Sequence, residues 1–271
     1  MNIGVFDSGL GGLTILKEFI EVNPRYNYLY LGDNARVPYG NHSAEVIYRF
    51  TCQALEFLIH KKCSLIIIAC NTATSAALKK MQTEFVPQKY PHVKLLGIIR
   101  PVVEEAIKKK FSKVGVIGTN ATINAHAFYK EFKKNSAKIK IIEKSCPLLV
   151  PIIEAEECHW IGTDLILQKY LSVLKRAKIK ALILGCTHYN ILSKQISNIL
   201  GPNVKILSEG KIAAIKLKEY LSRHAEIDNQ LEKNEHREIF LTDVNPYYNK
   251  ILVQFFGLKN KTTPLQQIIL N

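Results

Sequence analysis

SLIIIACNTATSAAL, residues 64–78, and KALILGCTHYNIL, residues 180–192, follow one plan. Each opens with a short run of large apolar residues bounded by polar positions, which reads as a buried strand. A cysteine follows, Cys70 in the first and Cys186 in the second. Small polar residues able to cap a helix come next, and then an amphipathic stretch. A buried strand that feeds a helix in this way is the repeating unit of a parallel sheet.

Outward from these two segments the same alternation covers most of the chain. Strands are expected at Asn2–Phe6, Tyr28–Gly32, Leu65–Ala69, Lys94–Ile98, Val114–Gly118, Ile139–Ile142, Ala181–Leu184, Val204–Leu207 and Glu238–Leu241. Helical periodicity falls at Leu13–Val22, Ala44–Lys61, Ala73–Phe85, Val102–Lys110, Ala121–Asn135, Gly162–Ala177, Ile191–Leu200 and Ile212–Arg223. The stretch Ala225–His236 is polar and reads as a loop or a frayed helix. The fold class is therefore α/β with mostly parallel sheets. MNIGVFDSG (residues 1–9) and KVGVIGTNAT (residues 113–122) echo one another as strand and polar turn. Two related halves facing each other would explain both echoes, and so would the general likeness of α/β strands.

A length of 271 residues fits two domains of ordinary size. Hydrophobic residues at 47% and charged residues at 22% are the proportions of a globular chain with a core to bury. The start, MNIGVFDSGLGG, lacks the basic leader and apolar block of a signal peptide. No apolar run approaches the roughly 20 residues of a membrane span. The expectation is a cytoplasmic protein with no membrane partner. Its six cysteines, Cys52, Cys63, Cys70, Cys146, Cys158 and Cys186, are then free thiols, and their spacing matches no zinc site. The net charge of +14 opens a nucleic-acid-binding reading. The lysines, however, are scattered (108–110, 133–134) without interleaved aromatics, which favours solvated helix faces or the attraction of an anionic substrate.

Ligands of open parallel sheets bind at the C-terminal ends of the strands. Cys70 and Cys186 both stand there, at helix starts that favour a thiolate. His188 follows Cys186 by two residues and can exchange protons near neutral pH. Asp7 ends the first strand, with Gly9, Gly11 and Gly12 behind it, and Asp33 follows the second; either aspartate could equally cap a helix. DSGLGG lacks the order of a dinucleotide loop and the lysine of a phosphate-binding loop. Two thiols on facing halves could form a disulfide, ligate a metal with further partners, or transfer protons at one carbon from opposite faces.

The segments IGVFDSGLGGLTIL, YLGDNARVPYG, IIIACNTATSAAL, GVIGTNATI, CPLLVPIIE and LGCTHYNIL, in that order, resemble the glutamate racemases over nearly the full length. Aspartate racemases share the paired cysteines but match YLGDNARVPYG poorly. The resemblance implies two similar α/β domains, 1–97 plus 211–271 and 98–210, with the active site in the cleft between them. It implies interconversion of L- and D-glutamate without a cofactor, D-glutamate being supplied for peptidoglycan, and a homodimer. The thiol matching Cys70 would take the proton from D-glutamate and that matching Cys186 from L-glutamate. Asp7 and His188 would tune the thiols, with Asp33 and Glu154 as further acids near the site. Ser8, Pro38, Tyr39, Gly40, Asn71, Thr72, Thr119, Thr122 and Thr187 match substrate-contacting positions. Three positions depart from the family: Asn190 replaces the proline after CTHY, Arg100 stands in GIIRP, and Ala155-Glu156 replaces glycine after VPIIE. An aspartate racemase and a basic anion- or nucleic-acid-binding protein on this scaffold are the alternatives.

Overall fold

The computed structural model describes residues 1–135, 138–244 and 265–270. Residues 245–264 and 271 of the expected first domain, and 136–137 of the second, lie outside the described residues. Ten strands are described: β1 (Asn2–Asp7), β2 (Tyr28–Gly32), β3 (Cys63–Ile68), β4 (Lys94–Gly97), β5 (Lys113–Gly118), β6 (Lys140–Ser145), β7 (Ala181–Gly185), β8 (Lys205–Leu207), β9 (Arg237–Leu241) and β10 (Leu265–Gln267). They form two sheets, ordered β10-β9-β2-β1-β3-β4 and β6-β5-β7-β8. Every pairing in both sheets is parallel.

Burial explains why the strands stand out in the sequence. β2, β3 and β7 are buried along their whole length, as strands covered by helices on both faces must be. The chain leaves the first sheet after β4 through helix Ile99–Lys108 and returns from β8 through helix Glu209–Arg223. The returning helix packs on both Leu13–Val22 and Ile99–Lys108. The C-terminal ends of β1, β2, β3, β5, β7 and β8 therefore converge where the two sheets meet.

Helix boundaries differ from the periodic reading in instructive ways. The stretch expected as one helix at 121–135 is two, Asn120–Asn124 and Ala127–Asn135, broken where His126 takes φ 51°. The stretch at 73–85 starts earlier, at Asn71, and passes into a π-helical turn at Met81–Phe85. A helix at Leu149–Glu154 has no counterpart in the periodic reading. Its Pro151 sits in the first turn, where a missing N–H breaks no hydrogen bond.

Just beyond that helix the departure at Ala155-Glu156 becomes intelligible. Glu156 is exposed and left-handed, with φ 60°. A side chain in that conformation costs roughly 1 kcal/mol that glycine avoids. Glu156→Gly is expected to stabilise the fold by about 1 kcal/mol and raise Tm by about 2 °C in thermal unfolding; an unchanged or lower Tm would contradict this account.

Candidate active site

Cys70 caps the helix Asn71–Lys80, its sulfur accepting from the Ala73 N–H at 3.4 Å. Ser8, just past β1, sets its hydroxyl 3.3 Å from the same sulfur. Cys186 follows β7 and opens the 3-10 turn Thr187–Leu192, with its sulfur 3.9 Å from His188 Nδ1. Both thiols are nearly sealed from solvent, at 5% and 7% exposure. They also sense each other: burial first, then Asp7 and, least, the charge of Cys186 push the Cys70 thiol up to about 12, against the Ser8 and Ala73 hydrogen bonds, which pull it down. Two sulfurs at the strand ends of separate sheets are thus near enough to interact.

Asp7 lies between the thiol loops. Its carboxylate accepts from the Gly9 N–H at 2.9 Å and from the Thr187 hydroxyl at 3.3 Å, which ties β1 of one sheet to the turn after β7 of the other. Burial raises its pKa, although His188 and the Gly9 and Gly12 N–H groups act in the opposite direction. The glycines after Asp7 are required by this crowding. A Cβ on Gly12 would stand 2.4 Å from Asp7 Cβ, and one on Gly11 2.4 Å from the Thr187 hydroxyl oxygen.

His188 is buried, with Nε2 3.0 Å from Glu154 Oε1. Burial disfavours the imidazolium, yet the hydrogen bonds to Cys186 and Glu154 outweigh it and hold the pKa well above the ordinary histidine value. Cys186, His188 and Glu154 therefore form a chain running outward from the site to a partly exposed carboxylate.

The hydroxyls of Thr72, Thr119 and Thr122 form a second cluster. Thr72 is 2.9 Å from Thr119 and 3.3 Å from Thr122, and the latter two are 3.0 Å apart. The loop Pro38-Tyr39-Gly40 closes over it, since a Cβ on Gly40 would stand 2.7 Å from Thr119 Cβ. Hydroxyls beside the N–H groups of a ten-residue helix suit a carboxylate.

Asp33 has a different role in the geometry. One carboxylate oxygen accepts from Arg36 Nε at 2.6 Å and from the Tyr39 hydroxyl, and the other accepts from Thr242 at 3.0 Å. It clamps the Tyr39 loop and does not face the thiols with a free oxygen. Of the family departures, Asn190 donates to the Thr187 carbonyl at 3.5 Å, and Arg100 pairs with Glu104 at 2.8 Å on an exposed face. Arg100 also lines a cavity of about 880 Å³ between helices, which includes neither thiol.

One buried acid was missing from the sequence reading. Glu209 opens helix Glu209–Arg223 and accepts from Asn71 Nδ2 at 2.8 Å. Its signal was available: in KILSEG it stands at the end of a strand, at the same sheet edge as Cys186.

Known racemases resemble this chain in sequence and in fold. The family described as Asp/Glu/Hydantoin racemase has a model that matches residues 14–216. A glutamate racemase of Sulfurihydrogenibium sp. is 37% identical over 95% of this chain and 94% of its own. The solved glutamate racemase isoform of Bacillus anthracis superposes with a TM-score of 0.89 at 31% identity, covering 99% of this chain and 97% of that one. That of Francisella tularensis, solved in complex with D-glutamate, gives 0.87 at 33% identity over 100% and 98%. An aspartate racemase homologue from Pyrococcus horikoshii gives 0.57 at 20% identity over 82% of this chain and 99% of that one, a likeness of fold alone.

Proposed function

The chain belongs to the Asp/Glu/hydantoin racemase family, and on that premise we propose that it interconverts L- and D-glutamate by proton transfer between the substrate Cα and the thiols of Cys70 and Cys186. The observation that carries this reading is the pair of buried sulfurs at matching strand ends of two facing sheets, close enough for one to shift the other. Racemisation needs one base and one acid on opposite sides of a stereocentre, in opposite protonation states at any moment. The surroundings supply that asymmetry. Cys70 is buried beside Asp7 and rests as a thiol, whereas Cys186 has the cationic His188 as its neighbour. In one direction Cys186 takes the proton from L-glutamate and Cys70 returns one. Turnover in that direction leaves the states reversed, ready for D-glutamate.

Thr72, Thr119 and Thr122 with the start of helix Asn71–Lys80 hold one carboxylate. Ser8, the Tyr39-Gly40 loop and Thr187 bound the rest of the substrate. The Cα–H is a very weak acid, so the carbanion-like transition state depends on these oriented dipoles in a site closed to water. No cofactor enters the reading. It includes domains at 1–97 plus 211–271 and 98–210, a homodimer, a cytoplasmic location and a role in supplying D-glutamate for peptidoglycan. Among the described residues no helix is long and apolar enough to cross a membrane. A circular-dichroism assay on each glutamate enantiomer, without added cofactor, tests the activity. Interconversion of both is expected; no interconversion, or a higher kcat/KM for aspartate, would overturn the assignment.

A further inference from the structure

Asn71 and Glu209 are a matched pair of unfinished groups. The Asn71 Nδ2 donates to Glu209 Oε2 at 2.8 Å, and both residues are buried, at 2% and 1% exposure. Among the described residues the other oxygen of each, Asn71 Oδ1 and Glu209 Oε1, is buried and has no hydrogen-bond partner. Both leftover atoms are acceptors if Glu209 is ionised. A buried acceptor left unpaired costs roughly 1–3 kcal/mol, so two side by side beside a buried charge would be a costly arrangement. A single proton on Glu209 Oε1 changes that. The carboxylic acid then presents one acceptor and one donor to an amide that presents one donor and one acceptor, so the leftover atoms become a donor and an acceptor suited to a second bond.

We infer that Glu209 is a positioning residue for the Cys70 thiol: its carboxylic acid and the Asn71 amide form a two-bond clasp that ties the start of the Cys70 helix to the opposite half of the molecule. Asn71 is the first helical residue after Cys70, at the end of β3 in one sheet. Glu209 is the first helical residue after β8 in the other. The clasp therefore fixes, one residue from the sulfur, how the two sheets stand to each other. Burial pushes the Glu209 carboxyl up to about 8, with the Asn71 bond pulling modestly the other way, so the acid form persists at neutral pH. The charged and titratable groups on the packed neighbours are Lys17, Glu18 and Glu21 on Leu13–Val22, Arg100, Glu104, Glu105 and Lys108 on Ile99–Lys108, Lys79 and Lys80 on Asn71–Lys80, Glu226 and Asp228 on Ala225–Asp228, and Cys70 itself. None of them contributes to the Glu209 balance.

The inference rests on the two-thiol reading, and the variants separate the two. Glu209→Gln keeps one donor and one acceptor facing Asn71, whereas Glu209→Ala removes both. Expected are a kcat for Glu209→Ala lowered at least about tenfold with KM within about twofold, and a Glu209→Gln enzyme retaining at least about a third of wild-type kcat at pH 7. Wild-type kcat should fall as pH rises through about 8, and this inflection should be absent in Glu209→Gln. If Glu209→Gln is as impaired as Glu209→Ala, the negative charge matters and the clasp is wrong. If Glu209→Ala keeps its kcat, there is no positioning role.

Thermal unfolding gives a readout independent of turnover. Below the ordinary glutamate value of 4.5 both folded and unfolded chains hold the proton, and above about 8 neither does. Between them only the folded chain holds it, so Tm should fall with rising pH across that window and level off above it. Glu209→Gln should lack this slope. A wild-type enzyme with the slope but no racemase activity would sink the functional reading and leave the clasp standing; equal slopes in the two proteins would sink the clasp.

Discussion

Cys70→Ala and Cys186→Ala should each lower kcat/KM for glutamate by at least about 10³-fold, the scale of a positioned acid or base. The loss must be equal in the two directions, because a catalyst cannot shift the equilibrium between mirror-image substrates. Isotope exchange breaks that symmetry. With Cys70 removed, Cys186 can still take the Cα proton of L-glutamate, exchange it with solvent and return it to the same face. In heavy water the Cys70→Ala enzyme should therefore introduce deuterium into L-glutamate and not D-glutamate, and Cys186→Ala should do the reverse. Followed by proton NMR with each enantiomer supplied alone, identical exchange patterns in the two variants would remove the basis for opposed thiols. The alanine fits in both places, since each sulfur ends a strand and the neighbouring backbone bonds do not use it, apart from the Ala73 N–H on Cys70.

His188→Asn should have the next largest effect, about 10²-fold on kcat from L-glutamate; a smaller kcat loss from D-glutamate is matched there by a raised KM, so that kcat/KM falls equally in both directions. The physical ground is the cation 3.9 Å from Cys186, held charged by Glu154 on its far side. Asparagine can keep a hydrogen bond but not the charge, so the sulfur that must begin as an anion for L-glutamate loses its partner. Cys70 lies against Ser8 and the Ala73 N–H, which the substitution leaves in place. A variant within about threefold of wild type in both directions, by the same dichroism assay, would show that His188 only fills space.

Much of this architecture is legible in the chain because parallel strands buried on both faces have little choice but apolar residues. β3 and β7 announce themselves through Leu65–Ile68 and Ala181–Leu184, and the cysteine after each falls where such sheets expose reactive groups. Local breaks were less visible. His126 interrupts a helical pattern without glycine or proline to mark it, and Pro151 reads as a breaker although it stands in a first turn. Long-range partnerships could not be read at all. Asp33 looks like a free acid after a strand until Thr242, 209 positions later, takes one of its oxygens. Glu209 has meaning only beside Asn71, 138 positions earlier.

The hydroxyls of Thr72, Thr119 and Thr122 already satisfy one another across the gap between the sheets, and Thr187 already satisfies Asp7. An incoming amino acid thus exchanges hydrogen bonds at these points instead of simply adding them, and only the difference appears as affinity. The exchange also severs the polar stitching between the halves just as the ligand begins to span them. The halves are joined by their own side chains before substrate arrives, and by the substrate itself while it is bound.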